Sequence, residues 1–340
     1  MKAAVFHGPE KGLTIEEVPD PTPDAGEALV RVKACGVCHT DLHYLDHGTP
    51  TFKPPPMILG HEISGTVEAV GEGVKHLQPG DPVLVAAVVS CGACWACRNG
   101  RENICEHGVM LGNHADGGYA ELTVAPARDV FVLPPEVPLI EGCIIADAVT
   151  TPYHAVVNRA KVGAAEQVVV IGCGGVGLNV IQMAMAQGAR VVAVDLAEDK
   201  LEWARRLGAA ATVNPAEVER VDKAVRGLTD GGADAVFEVV GKASTQEIGL
   251  SCLRTGGRLI MVGYSPEEMT LNSGRVMFRE LAILGSLGCP PADYPRVIGL
   301  VQQKRVLVEE MVTHRFALDD IEDAMDALRA GEPIRAVVMP

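Results

Sequence analysis

Four cysteines with short, regular spacing have the chemistry of a closed metal site. Cys91, Cys94 and Cys97 are each separated by two residues, and Cys105 follows after seven more. Four thiolates at such spacings bind zinc tetrahedrally, and a structural site of this kind leaves no coordination position free. A pair of disulfides, or four unrelated small core residues, is the alternative. The pattern therefore predicts a structural zinc in a lobe spanning residues 91–105, which holds the lobe together and does no chemistry.

A second set of metal-ligand residue types comes from three separate segments. Cys38 lies in the run Gly36-Val-Cys-His-Thr-Asp-Leu-His43, and His61 and Glu62 adjoin each other further on. Cys143 and Asp147 are four residues apart, so either could reach a metal if their segment is helical. Three protein ligands and one open position are what a catalytic zinc requires. Alone, each residue would more often be a core or polar residue, but together they indicate an open zinc site.

A glycine-rich run has the spacing of a dinucleotide-binding turn. Gly172-Cys-Gly-Gly-Val-Gly177 follows an apolar strand, opens a helix, and precedes a second strand that ends at Asp195. The glycines would allow a tight turn and a close approach of backbone to pyrophosphate at the positive end of the helix dipole. The predicted cofactor contacts in this run are Gly172, Gly174, Gly175, Val176 and Gly177.

Asp195 favours NAD over NADP. Its carboxylate can accept hydrogen bonds from the ribose hydroxyls, whereas a 2′-phosphate would be repelled by roughly 4 kcal/mol per unit charge at about 4 Å and an effective dielectric of about 20. A third of that repulsion is about tenfold in affinity. Lys200 is a further candidate for a ribose contact, although a solvated helix lysine explains it nearly as well.

The elements that must position these residues fall into two kinds. Residues 1–150 show short β-like segments broken by glycine and proline, which is typical of an all-β, loop-rich domain. From 151 onward apolar strands alternate with helical stretches, which predicts parallel βαβ units in an α/β sheet. After about 290, two helices and a last strand follow, and periodicity alone does not decide whether they return to the first domain.

Composition excludes several classes of partner. The formal charge of −15 argues against a nucleic-acid backbone as partner, because phosphate binding needs clustered lysine and arginine. The sequence offers no apolar run of about 18 residues that could span a bilayer. No signal segment opens the sequence, so the ten cysteines are read as reduced thiols and the protein as cytoplasmic.

Over essentially its whole length the chain resembles the zinc-dependent medium-chain alcohol dehydrogenases. The resemblance is carried by Gly36-Val-Cys-His-Thr-Asp41, Gly60-His-Glu-Ile-Ser-Gly65, Gly80-Asp-Pro-Val83, the cysteine lobe, and Gly172 to Gly177 with Asp195. It implies a mostly β, GroES-like catalytic domain over 1–150 and 290–340, and a doubly wound Rossmann domain over 151–289. It also implies two Zn²⁺ per chain and NAD.

The resemblance assigns the catalytic zinc ligands. Cys38 and His61 match the first two, and Glu62 matches a carboxylate that approaches the metal during ligand exchange. Many relatives have a cysteine as the third ligand, but Asp147 stands at the matching position, which favours it over Cys143. Asp41 would hold the second ring nitrogen of His61.

The resemblance also assigns a proton path and a cofactor site. The alcohol proton would leave through Thr40, a ribose hydroxyl of the cofactor and His43, while hydride passes to the nicotinamide. The matching pyrophosphate contacts are His39 and Arg335, the residues near the nicotinamide are Thr151 and Val176, and the candidates for the substrate pocket are Trp95, Leu287 and Cys289.

The resulting hypothesis is a zinc-dependent alcohol dehydrogenase that acts on primary or secondary alcohols or their carbonyl products. A polyol, threonine or hydroxyacyl-thioester dehydrogenase of the same family is the nearest alternative. More distant alternatives are a zinc-stabilised binding protein without turnover and a metal-free reductase of activated double bonds or quinones, but the complete ligand sets argue against both. Resemblance to bacterial members implies a homotetramer.

Overall fold

The structure is a computed structural model that describes all 340 residues. The strands are β1 (Lys2–Phe6), β2 (Leu13–Glu17), β3 (Glu27–Val37), β4 (Met57–Ile58), β5 (Glu62–Val70), β6 (Pro82–Val85), β7 (Val88–Val89), β8 (Val109–Met110), β9 (Leu122–Pro126), β10 (Val130–Val132), β11 (Gln167–Ile171), β12 (Arg190–Val194), β13 (Ala211–Val213), β14 (Ala233–Glu238), β15 (Leu253–Met261), β16 (Ala282–Gly285), β17 (Val312–Ala317) and β18 (Arg335–Met339).

The α-helices are α1 (His39–Leu45), α2 (Trp95–Arg98), α3 (Thr150–Tyr153), α4 (Gly175–Ala186), α5 (Glu198–Arg206), α6 (Val221–Leu228), α7 (Ala243–Cys252), α8 (Ser273–Phe278), α9 (Tyr294–Gln302) and α10 (Ile321–Ala330). A π-helix covers His154–Ala160, and short 3₁₀ turns cover Glu102–Ile104, Ala127–Asp129, Glu141–Ala146, Pro215–Glu217, Pro291–Asp293 and Leu318–Asp320. None of the helices is both long and apolar enough to cross a membrane.

The chain divides into two compact units. Unit 1 contains Met1–Thr150 and Cys289–Pro340, and unit 2 contains Thr151–Gly288. The sequence placed these divisions after residue 150 and after residue 289.

Unit 1 is mostly β. Its largest sheet has the order β10-β6-β5-β3-β18-β17, with β9 also paired to β3, and β2-β1-β4 form a second sheet. A continuous apolar core fills the unit, with Phe6, Met57 and Tyr119 among its largest buried side chains. The tail after 290 therefore does return to the first domain, because β18 pairs antiparallel with β3.

A glycine ends the helix that precedes β18. Gly331 ends α10 in the left-handed conformation, with φ of 72°, where a side chain would be strained. The chain can therefore leave α10 sharply and enter β18. Arg335, the first residue of β18, reaches the interior of unit 1 in this way.

Unit 2 is a six-stranded parallel sheet of order β13-β12-β11-β14-β15-β16. Its central strands are runs of valine, alanine and isoleucine that are buried on both faces, as expected when helices cover a parallel sheet. The predicted doubly wound α/β sheet is confirmed, and a mostly β unit accompanies it.

Candidate functional site

The four cysteines of the lobe form one cluster. The Sγ atoms of Cys91 and Cys105 are 3.4 Å apart, those of Cys94 and Cys97 are 3.5 Å apart, and the Cys94–Cys105 and Cys91–Cys97 pairs are 3.7 Å and 3.9 Å apart. A disulfide requires about 2.05 Å. A tetrahedron with Zn–S distances of about 2.3 Å has edges of about 3.8 Å. The sulfur positions therefore fit a four-coordinate zinc and not a pair of disulfides.

Backbone amides around the lobe favour thiolates. The N–H groups of Ala93 and Cys94 point at the Cys91 sulfur over 3.4 Å. These donors lower the pKa of Cys91, and backbone N–H groups of Cys97 and Glu106 lower that of Cys94 to about 6. Since metal ligands must be deprotonated, these donors favour the metal-binding form of Cys91 and Cys94, whereas burial raises the pKa of Cys97 to about 12.

The second cluster is built where β3 passes into α1 and where β5 begins. Cys38 is the residue before α1, and its N–H donates to Oδ2 of Asp41 over 3.1 Å, which satisfies one helix-terminal donor. Glu62 opens β5 directly opposite Gly36 of β3. A Cβ on Gly36 would come within 2.0 Å of the Glu62 carboxylate. Glycine at 36 thus leaves room for a buried carboxylate.

The ligand atoms of Cys38, His61, Glu62 and Asp147 lie within 4.8 Å of one another. His61 Nε2 is 3.7 Å from Oδ2 of Asp147, beyond hydrogen-bond length, and both ring nitrogens of His61 are buried without a hydrogen-bond partner. Buried imidazole nitrogens without partners are rare unless something else occupies them. This thiol, imidazole and carboxylate set fits zinc.

The spacing of Cys143 and Asp147 allows either residue to be the metal ligand, whereas the structure brings only Asp147 to the other ligands. Cys143 lies inside the 3₁₀ turn Glu141–Ala146, is fully buried, and does not join the cluster. Asp147 directly follows that turn, with φ of −138° and ψ of −58°, and its carboxylate reaches the ligand set. The two residues do not share one face of an α-helix, because no α-helix forms there.

Electrostatics also favour a cation at this point. Burial disfavours the charged form of His61, yet Asp147, Cys38 and Asp41 outweigh it and raise the pKa of His61 well above its ordinary value. The same negative field would attract a divalent ion.

Glu62 and Arg335 form an ion pair inside unit 1. Nη2 of Arg335 donates to Oε2 of Glu62, and both side chains are almost fully buried. Burial raises the pKa of Glu62, although Arg335 opposes the change. In this structure Arg335 pairs with a carboxylate of unit 1, because β18 begins beside the end of β3; its predicted contact with the cofactor pyrophosphate stays a prediction. Oε1 of Glu62 has no hydrogen-bond partner.

Asp41 does not hold His61 in this structure. Its Oδ2 accepts a hydrogen bond of 2.7 Å from the Tyr119 hydroxyl, while its Oδ1 has no partner. The expected hydrogen bond from His61 to Asp41 is absent, since Oδ1 of Asp41 and both ring nitrogens of His61 have no hydrogen-bond partner. The two groups still interact through charge, since Asp41 contributes to the raised pKa of His61.

Thr40 and His43 extend from the cluster along α1. The Oγ1 of Thr40 is 3.5 Å from the Cys38 sulfur. His43 is half-buried, and burial lowers its pKa. His39, at the start of α1, is exposed.

In unit 2, three positions of the turn favour glycine, each for a different geometric reason. Gly172 has φ of 96°, which only glycine adopts readily. A Cβ on Gly177 would meet the carbonyl oxygen of Gly172 at 1.8 Å, so this glycine allows close packing of α4 on the turn. A Cβ on Gly174 would point into open space, which leaves the backbone free for a pyrophosphate. The turn fits a dinucleotide.

Asp195 follows β12 and contacts the turn. Its Oδ2 accepts from the N–H of Cys173 over 2.7 Å, and its Oδ1 accepts from that of Ala197 over 2.9 Å. Burial raises the pKa of the Cys173 thiol, and the positive charge of Lys200, in α5, opposes this change. The remaining residues that were expected to contact cofactor or substrate differ in exposure. Thr151 and Cys289 are buried, and Val176 is half-buried. Trp95 and Leu287 are 63% and 66% exposed.

The sequence did not point to Tyr119 or to the pairing of Glu62 with Arg335. Tyr119 lies 78 residues from Asp41, and Arg335 lies 273 residues from Glu62. No local spacing reports such contacts, and only strand pairing could have suggested them.

Comparisons with known proteins agree with this geometry. Residues 24–135 match the family described as "Alcohol dehydrogenase GroES-like domain", and residues 175–303 match "Zinc-binding dehydrogenase". An alcohol dehydrogenase of Geobacillus stearothermophilus is 37% identical over 344 residues, covering 100% of this chain and 99% of that protein.

Solved structures are similar over the whole chain. A NAD-dependent alcohol dehydrogenase superposes with a TM-score of 0.92 at 32% identity and covers 100% of both chains. A zinc-binding dehydrogenase from Sinorhizobium meliloti 1021, solved with NADP, has a TM-score of 0.92 at 30% identity and covers 100% of this chain and 99% of its own.

Proposed function

The chain belongs to the zinc-dependent medium-chain alcohol dehydrogenases, and on this basis we propose that it transfers hydride between a primary or secondary alcohol and NAD. Cys38, His61 and Asp147 would hold the catalytic zinc, with Glu62 as the exchange ligand. The observation that carries the proposal is the convergence of these four ligand atoms within 4.8 Å around two unpaired nitrogens of His61. The tetrahedral spacing of Cys91, Cys94, Cys97 and Cys105 supports a second, structural zinc.

When bound, zinc would lower the pKa of the alcohol oxygen and NAD would accept the hydride. Cys38 and Asp147 as anions would balance the charge of the ion. Thr40 would hydrogen-bond the alcohol hydroxyl, and its Oγ1, 3.5 Å from the Cys38 sulfur, supports this role. His43, half-buried in the same helix, would take up the released proton.

The cofactor would be held by unit 2. Gly172 to Gly177 would receive the pyrophosphate at the N-terminus of α4, and Asp195 would accept the ribose hydroxyls. A carboxylate at this place disfavours a 2′-phosphate, which supports NAD as the preferred cofactor. His39 and Thr151 remain proposed contacts of the pyrophosphate and the nicotinamide.

A homotetramer in a reducing, cytoplasmic setting completes the proposal. β16 is an edge strand, and Phe278 and Leu287 near its ends are 83% and 66% exposed. Apolar surface beside an open sheet edge supports contact between copies of the chain. All ten cysteines are free, which supports a reducing compartment.

Metal analysis combined with a panel of alcohols and NAD tests the proposal. We expect two zinc ions per chain and reduction of NAD by primary or secondary alcohols. A protein with one zinc or none, and with no NAD reduction on any alcohol, would contradict it.

A further inference from the structure

His43 and His47 form a pair of hydrogen-bonded imidazoles at the end of α1. Their Nδ1 atoms are 3.0 Å apart, and the ring centroids are 5.2 Å apart with the planes inclined by 43°. His43 is half-buried, whereas His47 is exposed. The pair therefore connects a protected nitrogen to one that water can reach.

The turn after α1 holds His47 in this position. The N–H of Asp46 donates to the carbonyl of Leu42 over 2.8 Å, and the N–H of Thr49 donates to the carbonyl of His43 over 3.0 Å. Nε and Nη2 of Arg329, on α10, donate to the two carboxylate oxygens of Asp46 at 2.9 Å and 2.8 Å. The residue directly before His47 is thus fixed from a second element by a two-point contact.

The charged groups beside His47 carry a net negative charge. Asp46 interacts with His47 through charge, and Arg329 is shared between Asp46 and Asp326. Two carboxylates and one guanidinium leave the surroundings negative. His43 is less suited to keep a proton, because burial and the charge of a protonated His47 lower its pKa.

An Nδ1–Nδ1 hydrogen bond gives a defined route for a proton. One ring carries hydrogen on Nδ1 and the other accepts with its lone pair. If His43 is protonated at Nε2, it can release the hydrogen of its Nδ1 to Nδ1 of His47. His43 is then neutral again, and His47 releases its Nε2 hydrogen to water.

We propose that His47 receives the proton from His43 and delivers it to solvent, so that the proton relay does not end at His43. This inference rests on the proposed function, in which His43 takes up the alcohol proton. The chemical class of the step is proton transfer only, and no bond to carbon or metal changes in it.

Single-turnover stopped-flow oxidation of an alcohol by NAD-saturated enzyme tests the relay, because cofactor release then does not limit the rate. His47→Ala and His47→Gln should each slow the proton-dependent step by roughly three- to tenfold, less than the loss of a primary acid–base group, since water partly replaces His47. Glutamine can still accept the hydrogen bond from His43 but cannot carry a proton. Rising phosphate buffer at constant ionic strength should restore both variants and leave the unmodified enzyme unchanged.

The possible outcomes separate this inference from the proposed function. If His43→Ala leaves the rate unchanged, the proposed role of His43 fails. If His43→Ala is slow while both His47 variants react at the normal rate, only the inference is overturned. If His47→Gln is normal while His47→Ala is slow, His47 merely orients His43, which also overturns it.

Discussion

The backbone N–H of Cys173 donates a hydrogen bond of 2.7 Å to Oδ2 of Asp195. The residue between the first two glycines of the turn is thus in direct contact with the carboxylate at the end of β12. The backbone proposed to bind pyrophosphate and the side chain proposed to bind the ribose are thus held relative to each other by a hydrogen bond within the protein. Such preorganisation reduces the entropy lost when a ligand is bound.

Asp195→Asn should shift cofactor preference toward NADP. Removing the carboxylate charge removes its repulsion of a 2′-phosphate, and we expect the ratio of kcat/KM for NAD to that for NADP to fall by about tenfold, or about 1.4 kcal/mol. Steady-state kinetics with both cofactors would measure this. Asp199→Asn, an exposed carboxylate in α5, is the matched control and should leave the ratio unchanged. Equal ratios in the two variants would show that Asp195 does not select the cofactor.

Gly174→Ala and Gly177→Ala should fail in different ways. The first places a methyl group in open space, so thermal stability should be kept while the KM for NAD rises roughly tenfold, since the methyl would occupy the place of the pyrophosphate. The second forces a contact at 1.8 Å with the Gly172 carbonyl, and we expect a loss of about 1–3 kcal/mol in the free energy of unfolding. Chemical denaturation would measure the free energy of unfolding of each variant, and rates at increasing NAD concentration would measure its KM for NAD. A stable Gly177→Ala protein would contradict the packing assignment.

Cys38→Ser and Cys94→Ser should each remove one zinc, but with different consequences. Cys38→Ser should abolish turnover, because an open catalytic site loses a ligand, and should keep most of the thermal stability. Cys94→Ser should lower the unfolding temperature while the remaining folded protein still turns over. Zinc content, unfolding temperature and kcat per folded chain are the readouts. Unchanged activity in the Cys38 variant would exclude it as a ligand of the catalytic metal.

Asp147→Ala should lose zinc and activity, whereas Cys143→Ala should not. Only Asp147 belongs to the ligand cluster, although both residues lie in the same short segment. Cys143→Ala removes a buried sulfur, so it should cost some stability through a cavity while the zinc content stays at two. The opposite result, with zinc lost from the Cys143 variant alone, would reverse the choice between the two residues.

The pH dependence of alcohol oxidation should reflect the lowered pKa of His43. Burial, followed by the charge of His47, lowers this pKa below the ordinary value of about 6.5. Because His43 must be neutral to accept a proton, turnover should rise with pH on the acid side, with a midpoint below about 6.5. A kcat–pH profile of the unmodified enzyme and of His43→Ala would show this. If the rise of kcat on the acid side of the profile is unchanged in His43→Ala, a titratable group other than His43 causes it.

The sequence predicted the central strands of unit 2 well because β11, β12 and β14 are apolar runs that are almost completely buried. The apolar strand before the glycine run is Gln167–Ile171, the helix that the run opens is α4 from Gly175, and the second strand, Arg190–Val194, ends one residue before Asp195. α1 was not predicted, since it is short and its residues were interpreted through their chemistry. The three-residue strand β13 and the helices α6 to α8 were also not identified from periodicity. Elements this short depend on the surrounding packing more than on their own pattern.

The candidate ligands could be named because cysteine and histidine in such motifs are rare types, and the structure then brought four of them together. The roles that depend on partners were harder to predict. Arg335 pairs with Glu62 because β18 lies beside β3, and the Tyr119 hydroxyl donates a hydrogen bond to Asp41 of α1, 78 residues away in sequence. Whether Trp95 faces a substrate could not be read from its neighbours, and its side chain is largely exposed.

The position of β18 between β3 and β17 has a consequence for biosynthesis. The large sheet of unit 1 lacks an internal strand until residues 335–339 have left the ribosome. At about 5–20 residues per second, Asp147 emerges about 10–40 seconds before Arg335. During that interval Glu62 has no arginine partner, and burying its charge alone is unfavourable. We therefore expect the catalytic ligand set to mature only after translation has passed residue 339, with nascent unit 1 dependent on chaperones until then.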